Sequence, residues 1–481
     1  MKNVYRCYRS NFKPPRLLGA TLLFVALVGC NDHSRGSQRV SETTYKSKLN
    51  EPMHQRTSFV RPAIRINGNK FVNEQGELIQ LRGVNLMGME YIGILGNSPS
   101  DPFYTVVEST WPALHAWHVN AIRIPLNESS YLGHVCVDDF TGPAYGKPGV
   151  IKDPDPGHNY KIRLREVIDR ATNEGFYIIL DLHVNAPNDA ENAVNNVTAQ
   201  CAREQNPAPD ADHAIEFWTD LAQAYKDHPN ILFDIFDEPF IDEWRSFADN
   251  DTNDWKALRD GTTVQSYLPL WAMPLKHPWQ SVGMQRIVNV IRNAGSTNII
   301  LVSGLTRSSN LSSWVKYKPV DPLNQLAAAW HAFPNKGSKW GDQCYSHPGS
   351  WCDDRGYSDA EKILAGNFPV IVTAFGDRNA TGTIGAPFVS KLLPRLDSMG
   401  ISYLGWTFTA ASTSENQLIK DNFGAPTDGY GQYVKTHYLC RALGAVSCSQ
   451  LGKDIADIPR IRAQSPSNSA TGGWLPSSPP I

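Results

Sequence analysis

The sequence predicts an α/β chain folded as a (β/α)8 TIM barrel, with an N-terminal β-hairpin and a long loop after the fourth strand. Three observations predict it. Eight short apolar runs of the buried-strand kind recur between residues 78 and 408, and helical patterns lie between most of them. No glycine-rich phosphate turn follows the first run, as a doubly wound nucleotide-binding sheet would require. The hairpin comes first, with Ala63–Ile66 and Lys70–Val72 joined through Asn67-Gly68, a pair suited to a tight turn. The strands then follow as Leu78–Leu86, Val119–Leu126, Tyr177–His183, Ile231–Phe236, Asn298–Ser303, Leu326–His331, Val370–Phe375 and Ser402–Phe408. Tyr160–Glu174, Ala214–Lys226, Val282–Asn293 and Phe388–Met399 show the helical period between them.

In such barrels the chemistry sits at the C-terminal ends of the strands. Arg123, His183 with Asn185, Asp237 with Glu238, His331 and Trp406 all fall there. One polar strand end would be unremarkable. Five from different strands, converging on one mouth, define a candidate site.

The matching segments are Asn120–Asn127, Leu180–Pro187, Phe233–Pro239, Trp330–Phe333, Pro369–Gly376, Gly405–Thr407 and Gly429–Tyr433. In this order the chain resembles glycoside hydrolase family 5, the cellulase-type retaining β-glycanases, over about residues 62–440. A retaining glycosidase sets a proton donor and a carboxylate nucleophile ~5–5.5 Å apart about the scissile bond. The resemblance implies that Glu238 is the acid/base. It puts the nucleophile after the seventh strand, where this chain has Ala374, and a methyl group cannot attack an anomeric carbon.

Two further departures touch the same subsite. The family's Asn before the acid/base, which holds the sugar 2-hydroxyl, is Asp237 here, and its His-x-Tyr is His331-Ala332-Phe333. Arg123, His183, Asn185, His331 and the platform Trp406 remain as the implied substrate-binding residues. Asp237, Asp377 and Glu415 are the carboxylates that could stand in for the lost group, each with a plainer reading as a solvated or capping residue. The expectation is therefore a protein acting on a β-linked polysaccharide with weak or lost hydrolysis. A non-catalytic β-glycan-binding surface protein is the alternative.

The flanks speak to export. Residues 1–30 carry Lys2, Arg6, Arg9, Lys13 and Arg16 with no acid, then the apolar run Leu17–Val28. That run is shorter than the ~20 residues of a membrane span and reads as a signal peptide. Leu27-Val28-Gly29-Cys30 resembles a bacterial lipobox, which would make Cys30 the lipidated residue; an ordinary signal peptide cleaved nearby is the alternative. Residues 31–60 read as a flexible linker, 61–447 as the barrel and 448–481 as a Pro/Ser-rich tail. The chain is then an exported, membrane-anchored lipoprotein or an extracellular protein.

Six cysteines remain in the exported part, and an even number in an oxidising compartment implies disulfides. Cys344–Cys352 and Cys440–Cys448 are the simplest local pairs, leaving Cys136–Cys201, among fifteen possible connectivities. No Cys/His spacing suggests a zinc site, and Asp249–Asp254 begins like a calcium loop but lacks its later Gly and Glu, so it reads as a solvated acidic loop and neither metal nor cofactor is expected. With 45 basic against 47 acidic residues there is no electrostatic case for nucleic acid, and membrane contact would come only through the lipid. The 13 Trp and 18 Tyr offer flat faces that suit sugar rings as well as a large core. A monomer is expected. Four of the tryptophans (Trp244, Trp255, Trp271 and Trp279) lie in the connection from Phe240 to Gln280, as a cleft wall or as packing onto the barrel.

Overall fold

A computed structural model describes residues 63–91, 106–134, 136–138, 150–153, 155–185, 199–200, 207–241, 252–264, 279–334, 351–377, 386–410 and 416–444. Eight parallel strands close into a barrel: β1 (Arg82–Asn85), β2 (Ala121–Asn127), β3 (Tyr177–Val184), β4 (Ile231–Asp234), β5 (Ile300–Ser303), β6 (Leu326–Ala332), β7 (Val370–Phe375) and β8 (Ser402–Gly405). The ring closes where β8 pairs with β1, Tyr403 opposite Arg82. Helices α1 (Thr110–Ala116), α2 (Tyr160–Asn173), α3 (Ala214–Tyr225), α4 (Met284–Asn293), the single turn α5 (Trp314–Tyr317), α6 (Trp351–Ala365), α7 (Val389–Met399) and α8 (Tyr430–Ala442) each follow the strand of the same number. Among the described residues no helix is long and apolar enough to cross a membrane.

Period-2 alternation along the strands makes two cores. One lies between sheet and helices, where Trp117, Trp218 and Trp314 are fully buried. The other fills the barrel, with Ala121, Ile179, Leu232, Leu301, Ala327, Ala329, Ile371 and Leu404 stacked inward. Ile66 and Phe71 complete this inner core from below, because Arg65–Asn67 and Lys70–Val72 form the hairpin at the end where the strands begin. Its contacts there are Ile64 N–H donating to Pro229 O and Gln325 Oε1 accepting from Ile66 N–H, just ahead of β4 and β6.

The expected first strand, Leu78–Leu86, is two. Leu78–Ile79 pairs antiparallel with the hairpin, and the barrel strand begins only at Arg82. Between them the Leu81 N–H is taken by the Ser402 hydroxyl, so the backbone ladder breaks and the chain changes sheets. Beside it Gly83 approaches β2 so closely that a Cβ would lie 2.2 Å from the Ala121 carbonyl oxygen.

The loop after β4 corrects one reading and resolves another. Thr252–Asp260 is helical and Asp254 is buried, so the segment is not simply a solvated acidic loop. Trp255 is buried and stacks on Tyr317 of α5, which is packing onto the barrel. Trp244 and Trp271 lie outside the described residues, as do Cys30, Cys201, Cys344, Cys448, Glu415, residues 1–60 and 448–481. Cys440 is disulfide-bonded.

Candidate active site

One layer above the apolar floor, the same inward positions turn polar. Ala121 gives way to Arg123, Ile179 to Asp181 and His183, and Leu232 to Asp234. Arg123 has no exposed surface and spends its donors on the strand ends around it. Its Nε donates to Asp234 Oδ2 at 3.0 Å, Nη1 to Asn85 Oδ1 at 3.1 Å and Nη2 to Asp237 Oδ1 at 2.7 Å. Asp181 Oδ1 stands 3.0 Å from the same Nη2. Asn85 fixes the arrangement further, donating to Thr373 O of β7 and to Gly405 O of β8.

The histidines diverge. His183 Nδ1 lies 2.8 Å from Asp181 Oδ2 and 3.3 Å from Asp237 Oδ2. Burial opposes its charge, but the Asp237 carboxylate and the Asp181 bond outweigh it, and its pKa is pushed up to about 9. His331 is buried beside Arg123, and burial dominates, so its pKa falls to about 4 and the ring is neutral at pH 7. Burial also opposes the charge of Asp237, yet His183 and Arg123 hold its carboxyl well below the usual range. For Asp234 burial prevails and pushes the carboxyl up to about 7.

Glu238 sits at the surface of this network. Its Oε1 is 2.7 Å from His331 Nδ1 and its Oε2 is 3.7 Å from Arg307 Nη1. The residue adopts φ of +48°, a left-handed conformation that costs energy in a non-glycine residue and gathers at functional sites. Thr306, Arg307 and Ser308 are left-handed as well, a turn after β5 that carries the Arg307 guanidinium over the Phe240 ring and toward Glu238. Trp406, partly exposed, stacks on His183 with ring centroids 5.5 Å apart and planes 6° from parallel. The Trp406–Thr407 peptide is cis.

Ala374 is the Cα partner of His331, so it faces the same way into the barrel mouth. Strict alternation would not put it there. Val372 and Phe375 both belong to the outer core although they are three residues apart, and the β6–β7 and β7–β8 registers shift on this stretch. Such bulges re-aim side chains next to sites. Phe333 lies close by, its ring edge 2.7 Å from where a Cβ on Gly376 would be.

All the residues expected at the mouth come together there, but not with equal access. Arg123, Asn185 and Asp237 have no exposed surface; Asn185 donates its amide to Ala208 O. His183, Glu238 and Trp406 line the accessible part. Asp377 caps α7, accepting from Phe388 N–H and Val389 N–H, which bears out the capping reading. Sequence reading missed Asn85, Asp181, Asp234 and Arg307. The signal for two of them was available, since an acid in the middle of the apolar strand segments Leu180–Leu182 and Phe233–Ile235 must find a buried cation. Asp181, His183 and Asp237 are close enough to hold a metal ion, but Arg123 already occupies the two carboxylates.

Fold and mouth together define a (β/α)8 barrel with a carboxyl group at the accessible end of a buried charge network. The family model for cellulase (glycosyl hydrolase family 5) matches residues 72–412, and the chain belongs to that family. Endoglucanase MaCel5A of a Microbulbifer species is 24% identical over 355 residues, 72% of this chain and 51% of that protein. Endoglucanase E-5 of Thermobifida fusca is 22% identical over 352 residues, 72% of this chain and 54% of that protein. The chain thus spans about half the length of these curated relatives. Among solved structures, a β-glucanase of Saccharophagus degradans in complex with cellotetraose aligns with a TM-score of 0.51 at 19% identity, covering 81% of this chain and 98% of that one.

Proposed function

We propose that this chain binds a β-linked glucan across the barrel mouth and hydrolyses it weakly or not at all. One observation carries the reading: the strand end re-aimed into the mouth by the β7 bulge bears the methyl group of Ala374, beside His331 and the Glu238 carboxyl. Glu238 is the acid/base and Ala374 stands at the nucleophile's place. Loss of a covalent nucleophile costs on the order of 10⁶ in kcat, ~8 kcal/mol, as in subtilisin. Trp406 is the sugar platform, with His183 beneath it. Arg123, Asn185 and Asp237 act through these neighbours.

A glycan-binding role without cleavage is the second reading, favoured by the same methyl group together with the capping duty of Asp377. Export through residues 1–30 and lipidation at Cys30 complete the proposal.

The test is hydrolysis of an aryl β-cellobioside by the full chain, with and without azide or formate, beside Ala374→Glu. Turnover that appears only with the small anion or the restored Glu supports both the cleft and its missing nucleophile. Unaided turnover that Glu238→Ala abolishes would overturn the assignment of lost chemistry. If neither anion nor Glu produces turnover, the cleft assignment fails.

A further inference from the structure

Two left-handed segments meet beside the mouth. Glu238 lies just past β4, and Thr306, Arg307 and Ser308, at φ of +55°, +54° and +61°, form the turn that follows β5. Such a run is costly, most of all at a β-branched Thr, and persists only where its surroundings over-determine it. They do so here. Leu305 and Asn310 bridge across the turn, with Asn310 N–H donating to Leu305 O, and the Ser309 hydroxyl donates to Thr306 O. At the foot of the turn Gly304 passes so close that a Cβ would lie 2.1 Å from Asn310 O.

What the turn grips is the segment that carries Glu238. The Ser303 hydroxyl donates to Phe236 O, and Arg307 N–H donates to Pro239 O at 3.0 Å, so the backbone is held on both sides of the residue. The Arg307 guanidinium lies 4.6 Å from the centre of the buried Phe240 ring, a cation–π distance. From there its Nη1 stands 3.7 Å from Glu238 Oε2, while His331 Nδ1 of β6 stands 2.7 Å from Oε1. Each carboxyl oxygen is thus met by a different side chain. A carboxyl anchored on one oxygen alone still turns about its last torsion, which is broad. A cation on the second oxygen restricts that freedom.

We infer that Arg307 is a positioning residue for Glu238, orienting the carboxyl so that its proton is aimed at the leaving oxygen of a bound glycan. The inference rests on the acid/base role proposed for Glu238. In the step concerned the nucleophile bonds to the anomeric carbon, the bond from that carbon to the leaving oxygen breaks, and Glu238 gives that oxygen its proton. Arg307 sets the direction of the proton and takes no part in its transfer. A guanidinium suits the task because it can rest on an aromatic ring and reach a carboxylate at once.

The test uses the full chain carrying Ala374→Glu, with kcat/KM measured for two aryl β-cellobiosides. Phenol is a poor leaving group that needs the proton, whereas 2,4-dinitrophenol departs without it. Glu238→Ala sets the scale, with a loss of ~10²–10⁴-fold on the phenyl substrate and a far smaller one on the dinitrophenyl substrate. Arg307→Gln is expected to lose on the order of 10-fold on the phenyl substrate and less on the other, the same signature at smaller size. A change that merely loosened the fold would lower both alike. If Arg307→Gln does not fold, as judged by near-ultraviolet circular dichroism, Arg307→Met gives the same reading, since its stem can stay on Phe240 without the charge. Equal losses on the two substrates, or none, beside an unequal loss in Glu238→Ala overturn the inference and leave the role of Glu238 standing. Equal losses in Glu238→Ala, or no turnover of either substrate, overturn that role and the inference with it.

Discussion

A buried guanidinium costs several kcal/mol unless its donors are matched, and Arg123 meets that condition with Asn85, Asp181, Asp234 and Asp237. Arg123→Met leaves the three acids without their cation. The expected loss is about 3–5 kcal/mol of unfolding free energy, read from the urea midpoint. The same network sets an alkaline limit. His183 keeps its proton in the folded chain up to about pH 9, against about 6.5 when unfolded. Its contribution is whole below pH ~6.5 and is lost as the pH rises through ~9, a fall on the order of 3 kcal/mol. Urea unfolding at pH 6.5, 8 and 9.5 should show that decline, and His183→Gln should flatten it. These residues were only half legible beforehand. Arg123, His183, Glu238 and His331 advertise themselves as polar strand ends, whereas Asp181 and Asp234 sit inside apolar strands and read as exceptions until closure of the barrel brings them to Arg123.

Strands and helices were easier, because hydrophobic period and length are local. The helices expected at Tyr160–Glu174 and Ala214–Lys226 differ from those found by one residue at the C-terminal end. What local pattern could not give was where a ladder is interrupted by a tertiary partner. Ser402, more than 300 residues away, divides the first expected strand. The bulge in β7 is hidden for the same reason, since alternation in Val370–Phe375 gives no sign that residue 374 faces inward. At this scale Gly83→Ala is a sharp probe. The added methyl meets the Ala121 backbone rather than a side chain that can swing away, so β1 and β2 must separate. The expected cost is about 1–3 kcal/mol, seen as a lowered Tm, and an unchanged Tm would mean that the two strands part freely.

Over the whole molecule, the closed ring of eight strands leaves no free edge in the barrel sheet, and the apolar floor inside it is sealed by Ile66 and Phe71. The part proposed for residues 1–30 is address and attachment. If Cys30 is lipidated, the exported chain partitions into the detergent phase of Triton X-114 and incorporates labelled palmitate, and Cys30→Ser moves it to the aqueous phase. Equal partitioning of both forms would remove the anchor from the proposal. The hairpin also fixes an orientation. The chain joins the barrel at the end where the strands start, and Glu238 and Trp406 stand at the opposite end. If the chain is held through its N-terminal segment, as proposed, that segment enters the barrel at the face opposite Glu238 and Trp406, so the point of attachment and the mouth do not compete for the same end of the molecule.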